Sequence, residues 1–425
     1  MLKYSADKDL RFNLAVNIID GGFFGFALGF ASFSTVIPLF VANLTDSALL
    51  IGLIPAIHNM GWQLPQLLTA EKVARQARLK PMVLFLTVHE RLPFLALAGV
   101  AWLAPFNPGL ALALTFIMLV WQGLGGGVTA NAWQSMIAKI IPSELRGTFL
   151  GMQSAAANLL ASLSAVAAGV ILEKLSSPLD FSTCFLAASA CMVASWGALA
   201  LTRERASPIP AEASPALSPP QRAKRLGAQI ITVLRSDVNF RWFLTARMTT
   251  QVAATAFAFY IVYAVQRYNL SESTAGVMTS VLMITQIVAN PLLGWVGDRF
   301  NHRKVMASGA LLAALGALLA WAAPGPGWFY LVFILTGIAN VTIWTVAMTI
   351  TLYFGKENER PTYIGMANTL IAPATILAPV IGGWLADRAG YPAVFLMSIV
   401  GGLVTAAVLL FKLQDPNPRE AEHAE

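Results

Sequence analysis

Arg146-Gly-Thr-Phe-Leu-Gly-Met152 and Arg360-Pro-Thr-Tyr-Ile-Gly-Met366 are one phrase written twice, each at the head of a long apolar run. A second echo joins Asn43-Leu-Thr-Asp-Ser47 to Asn269-Leu-Ser-Glu-Ser273, again where an apolar run begins. In this second pair, Thr45 or Ser47 and Ser271 or Ser273 are placed to cap a helix start, because a short hydroxyl side chain accepts the free amides of a first turn. Two echoes at corresponding positions predict a duplicated chain, built from two equivalent sets of helices.

The composition says where those helices lie. Of 425 residues, 57% are hydrophobic and only 12% charged, with mean hydropathy +0.66, against about 25% charged in soluble domains. This predicts an all-α integral membrane protein. A bilayer core of about 30 Å needs roughly 20 apolar residues per crossing, and backbone groups left unpaired in lipid force each crossing to be helical. Twelve runs qualify, at 12–42, 47–70, 81–104, 109–137, 148–172, 180–202, 238–265, 273–296, 304–323, 327–354, 361–386 and 392–412. The predicted organisation is a six-helix bundle over 1–202, a linker over 203–237 and a second six-helix bundle over 238–425.

Positive charge sets the orientation, since cytoplasmic loops retain Lys and Arg. Of the 28 such residues, all but five fall in the termini or the even-to-odd loops; Lys174, Arg267 and Arg388 lie outside, and Arg91 and Arg247 within spans. Both termini are thus expected in the cytoplasm. The pI near 9.5 is explained by this bias and calls for no nucleic-acid partner. The linker carries Pro208, Pro210, Pro215, Pro219 and Pro220, a flexible composition. It ends in Leu226, Ile230, Val233 and Leu234 at helical spacing among Arg222, Lys224, Arg225 and Arg235, an amphipathic helix for the membrane surface.

Cys184 and Cys191 stand alone in span six and imply neither a disulfide framework nor a metal site. The glycines Gly123, Gly125, Gly126 and Gly127 lack the Gly-Lys-Ser/Thr ending of a phosphate loop. No nucleophile, cofactor motif or metal-ligand cluster is spelled out, so an enzyme is not expected. Asn43 and Asn269 head short glycosylation triplets, a pattern common by chance.

Gly294-Trp-Val-Gly-Asp298-Arg299-Phe-Asn-His-Arg303-Lys304 resembles the cytoplasmic signature loop of the major facilitator superfamily: Gly, three residues, Asp-Arg, then a basic pair. The resemblance covers the whole chain and implies twelve helices in two pseudo-symmetric six-helix bundles. It also implies alternating access, a small-molecule substrate, protons as partner, a monomer, and residence in a bacterial inner or plasma membrane. In the first half the matching loop, Ala70-Glu-Lys-Val-Ala74-Arg75-Gln-Ala-Arg-Leu79-Lys80, has Ala at both the Gly and Asp positions. Ala378-Pro379-Val-Ile-Gly382-Gly383 in span eleven is similar to a pattern that drug/proton antiporters of the family carry in span five; here span five has Ala165 and Ala168-Gly169 instead.

A carboxylate beside a helix N-terminus gains about 0.3–1 kcal/mol. By pseudo-symmetry the target of Asp298 is the start of span five, around Pro142 to Thr148. Arg299 is expected to pair with Glu144, and Gly294, Asp298, Arg299, Arg303, Lys304, Glu144 and Arg146 form the expected cytoplasmic gate.

Ionisable side chains within spans cost about 2.5–3.5 kcal/mol at bilayer centre and therefore pair or face water. Asp20 lies about 13 Å into span one at 1.5 Å per residue, with Glu90, Arg91 and Arg247 at comparable depth and His58 near the middle of span two. Neighbours on a helix point about 100° apart, so Glu90 and Arg91 need other partners: Arg91 with Asp20, Glu90 with His58 or His89. The resemblance places span three outside the cavity, which makes Glu90 and Arg91 a buried ionic clamp, while spans one and seven line the cavity. Asp20, His58, Gln122, Arg247, Gln251, Asn340 and Trp344 are the candidates for substrate and proton handling there. Asn131, Trp133, Gln134, Gln286 and Asn368 are further polar groups on such spans.

The expected function is a secondary transporter, proton-coupled, exporting a small amphipathic compound. Uptake of an organic anion or sugar is the alternative, carried by Arg247 and Arg91. A lipid flippase or a non-transporting sensor or assembly factor on the same fold also fits the pattern.

Overall fold

The computed structural model describes residues 7–207, 219–270 and 272–415, and those residues contain helices but no strand. Eleven helices or helix pairs are long and apolar enough to cross a membrane. The remaining expected span is interrupted: Pro65, which has no amide hydrogen to give, separates Ala48–Gln63 from Gln66–Ala74, and neither piece alone is long enough. Among the described residues this is an all-α membrane protein with eleven such spans and one more expected span broken at Pro65.

By contacts the chain forms two units, one of Met1–Pro142 with Met152–Ser207, the other of Ser143–Gly151 with Pro208–Glu425. The helices of the first are α1 (Lys8–Phe30), α2 (Val36–Ala42), α3 (Ala48–Gln63), α4 (Gln66–Ala74), α5 (Lys80–Leu86), α6 (Val88–Leu103), α7 (Pro108–Ile140), α8 (Arg146–Lys174) and α9 (Leu179–Ala200). The first residues of α8, through Gly151, belong to the second unit. Span one, expected as 12–42, starts earlier because Asp7 caps it, accepting from the amides of Asp9 and Leu10 at 3.0 and 3.1 Å. It breaks at residues 31–35 into α1 and α2. Of the two candidate caps for span two, Ser47 takes the role.

Small residues decide how α1 packs. At Gly21, Gly25 and Gly29, four residues apart, an added Cβ would fall against Gln153, the Ala157 backbone, and Ala161 with Ser164. Bare backbone on one helix therefore meets α8 closely, the packing mode membrane helices use in place of a hydrophobic drive. Around Phe40, Phe94, Phe181 and Phe185 the first unit closes an apolar core. The expected flexible linker does not begin at once. Asn13 exchanges both backbone bonds of Arg203, Glu204 accepts from the amides of Leu79 and Lys80 and from Lys139, and Ser207 donates its amide to Ala77. Pro208, Pro210 and Pro215 lie outside the described residues.

The second unit contains α10 (Pro219–Ser236), α11 (Val238–Ala253), α12 (Tyr260–Tyr268), α13 (Glu272–Arg299), α14 (His302–Ala322), α15 (Trp328–Val341), α16 (Ala347–Thr351), α17 (Arg360–Thr369), α18 (Ala372–Ala389) and α19 (Tyr391–Phe411). Span seven passes through a 3-10 turn at Ala254–Ala258 and span ten through a π turn at Thr342–Val346. Asp237 caps α11 and Asn301 caps α14. Ser271 lies outside the described residues, so its expected cap is not placed. Cys184 is buried, and neither Cys184 nor Cys191 is in a disulfide.

Candidate functional site

In the first unit, α1, α6 and α9 bring three ionisable side chains and one hydroxyl together. Asp20 is 5% exposed, Glu90 and Arg91 8% each, and Ser195 is fully buried. Arg91 Nη2 donates to Ser195 Oγ at 2.8 Å and reaches Asp20 Oδ1 at 3.4 Å; Ser195 donates to Asp20 Oδ1 at 2.6 Å. Arg91 Nε donates to the carbonyl of Met192 at 3.3 Å, and its guanidinium lies 5.4 Å from the Phe24 ring centre. The structure thus brings Arg91 to Asp20, and adds Ser195, which a lone serine in an alanine-rich span does not announce.

Glu90 goes elsewhere than expected. His58 is engaged with Gln122 Oε1 at 3.0 Å and stacks on Phe33, while His89 receives the indole of Trp121 at 3.3 Å. Neither histidine meets Glu90, because His58 is held between Phe33 and Gln122 of α7, and His89 is turned to Trp121 of α7. Glu90 keeps Thr87 Oγ1 at 3.4 Å and the neighbouring Arg91 at 3.9 Å, the loose contact that a 100° separation allows.

These groups line a cavity of about 220 Å³ whose walls include Phe24, Trp62, Trp133 and Gly126. Glu90 and Arg91, expected as a buried clamp in span three, form part of the wall of this cavity. Gln122, also on α7, has its amide nitrogen buried without a hydrogen-bond partner among the described residues.

In the second unit Arg247 is 5% exposed and donates to the carbonyl of Ala367 at 2.9 Å and to Asn368 Oδ1 at 3.1 Å. Among the described residues no carboxylate pairs with it. Gln251 and Asn340 are half-buried, and Trp344, in the π turn, is 43% exposed.

Asp298 accepts from the amide of Gly147 at 2.8 Å and of Thr148 at 2.6 Å, at the first turn of α8. Its Oδ1 lies 3.3 Å from His302 Nε2, a residue fully buried against Tyr353. Gly147 and Gly294 are in direct contact, and a Cβ on either would strike the other's backbone. Arg146 donates to the carbonyl of Leu352 at 3.2 Å and Arg303 to that of Leu413 at 2.6 Å. Lys304 gives its amide to the Asn301 cap. Arg299 does not reach Glu144: its guanidinium lies over Trp295, 5.8 Å from the ring centre, where an aromatic face replaces the carboxylate.

Apolar spans in two units, one enclosing a charged cavity, define a polytopic membrane protein of the transporter class. A sequence profile of the Major Facilitator Superfamily matches residues 90–271 and 243–425. The chain belongs to that superfamily, whose members are transporters and not enzymes. It is 27% identical over 156 residues to "Multidrug resistance protein 2" of Bacillus subtilis, covering 36% of this chain and 38% of that one. It is 26% identical over 158 residues to human "Protein spinster homolog 1", covering 37% and 30%. The chain spans less than two-fifths of the length of these curated relatives. Among solved structures, the Escherichia coli fucose:proton symporter superposes with TM-score 0.73 at 15% identity, over 96% of this chain and 100% of that one. The human organic anion transporter MFSD10 (TETRAN) does so with TM-score 0.71 at 13% identity, over 95% and 100%. These likenesses show the fold.

Proposed function

We propose that this chain is a proton-coupled secondary transporter that exports a small amphipathic compound by alternating access. The bundles over 1–202 and 238–425 are its two halves, in a bacterial inner or plasma membrane with both termini in the cytoplasm. The observation that carries the reading is the Asp20–Arg91–Glu90 cluster in the wall of a cavity whose remaining surface is largely apolar and aromatic. Buried carboxylates beside one guanidinium can change charge when a proton or substrate arrives. The names of relatives such as "Multidrug resistance protein 2" and "Efflux pump apf11" agree with export. Asp298, held at the amides of Gly147 and Thr148, is the gate contact in this reading.

Purified protein in proteoliposomes, given a pH gradient and a fluorescent amphiphile, tests it. Gradient-driven movement that is lost in Asp20→Asn is the expected result. Coupled proton movement that survives Asp20→Asn removes Asp20 from the coupling role.

A second reading, uptake of an organic anion, is favoured by one observation: the buried guanidinium of Arg247 has only neutral partners among the described residues. A charge so placed attracts a carboxylate or phosphate.

A further inference from the structure

Three formal charges line the cavity of the first unit: Asp20, Glu90 and Arg91. With both carboxylates ionised, the cavity holds one negative charge in excess, and an unbalanced buried charge is costly. The two carboxylates are not equivalent. Asp20 is held by Ser195 at 2.6 Å and by Arg91 at 3.4 Å. Glu90 has Thr87 at 3.4 Å, beyond the usual O–H···O length of about 2.7 Å, and Arg91 at 3.9 Å, beyond the usual N–H···O length of about 2.9 Å. Arg91 is committed to Ser195, Met192 and Phe24. Glu90 Oε1 lies beside Gly126, where an added Cβ would sit 2.9 Å from it, so bare backbone leaves this carboxylate its room.

Among the described residues, the surrounding helices bring no other titratable group to the cavity wall. From α3, α7 and α8 it receives neutral residues such as Trp62, Trp133 and Gln153, and His58 and His89 are turned to Gln122 and Trp121. Indole faces attract cations, quaternary ammonium groups above all.

We propose that Glu90 is the exchange carboxylate of this cavity, and that its occupant is a small organic cation with a single positive charge, alternating there with one proton. The proposal deepens the exporter reading and rests on it. Either occupant neutralises the excess charge, so exchange is one for one. One cation leaving as one proton enters moves no net charge, and transport of a monovalent cation is insensitive to membrane potential. A neutral compound of the same shape displaces no proton.

The test is calorimetric titration of the purified full-length protein with benzyltrimethylammonium, in buffers of differing ionisation enthalpy, over the acidic to neutral range. The expected result is release of up to a single proton per bound cation. Glu90→Gln is expected to weaken the cation by about tenfold or more and to abolish the release, with its unliganded melting transition showing that the fold is kept. Binding without proton release in the wild type, or unchanged affinity in Glu90→Gln, overturns the proposal. Release that persists in Glu90→Gln puts the exchange on Asp20 and equally overturns it. If Glu90→Gln does not fold, the wild-type proton count decides alone. Gradient-driven transport of a neutral amphiphile with no proton release by the cation would leave the exporter reading standing and remove this proposal. Cation binding with proton release but no gradient-driven transport would do the reverse.

Discussion

Ser195 Oγ stands between the opposite charges of the first unit, donating to Asp20 Oδ1 at 2.6 Å and accepting from Arg91 Nη2 at 2.8 Å. One hydroxyl on span six thereby ties span one to span three. Ser195→Ala leaves a buried carboxylate with a single contact at 3.4 Å, a loss expected to cost about 1–3 kcal/mol. The melting transition in detergent should fall accordingly. Combined with Asp20→Asn the losses should not add, because both substitutions break the same contact; strict additivity would mean that the hydroxyl and the carboxylate act independently.

Asp298 offers its two oxygens to two amides of the first turn of α8. Asn at that position keeps one acceptor and turns an NH2 toward the other amide. The charge interaction with the helix start, about 0.3–1 kcal/mol and more where buried, disappears as well. Asp298→Asn should slow transport with little change in expression. Wild-type transport rates in proteoliposomes would remove Asp298 from the gate.

Gly147 and Gly169 lie on the same helix and predict opposite outcomes. A Cβ at Gly147 would meet His302 Nε2 at 2.6 Å, and Asp298 Oδ1 and the Gly294 carbonyl at 2.7 Å; at Gly169 nothing lies within 4 Å. Gly147→Ala should destabilise the protein by prying Asp298 from its amides. Gly169→Ala should be neutral or stabilising by about 0.5–1 kcal/mol, the helix-interior advantage of Ala over Gly. Paired thermal melts of the two variants check this, and equal shifts would contradict the close contact at Gly147.

Arg247, if it is an anion receptor, should confer stabilisation by organic anions on the wild-type protein. A ligand at about 100 times its dissociation constant adds roughly 2.7 kcal/mol. A thermal screen with benzoate and with benzyltrimethylammonium separates the two readings. Benzoate protection that vanishes in Arg247→Ala moves the assignment to uptake, while protection by the cation alone supports export.

The spans were legible because lipid leaves a chain no alternative to apolar helices of a set length. The surroundings of Asp298 were also legible, since the repeated phrase at Arg146 and Arg360 pointed to the start of span five, where Gly147 and Thr148 receive it. The cavity was only half legible. Asp20 and Arg91 stand out as charges in apolar runs, but Ser195, Thr87, Trp62 and Gly126 are ordinary residues for a membrane helix. Depth along the spans offers Glu90 a histidine partner, His58 or His89. Depth fixes how far along its helix a residue lies, and it leaves open which neighbour the residue faces.

The sequence by itself determined that this is a membrane protein built of apolar helices, and where along each helix the buried charges fall. Both follow from composition and run length along a single helix. Only the tertiary structure decided which charges meet. A helix can rotate about its axis at no cost to its own hydrogen bonds, and that rotation is set by contacts with other helices: Gly25 against Ala157, Gly126 against Glu90, Gly147 against Gly294. Those contacts hold Asp20 at Ser195, turn His58 to Gln122, and leave Glu90 in the cavity wall with only loose contacts to Thr87 and Arg91.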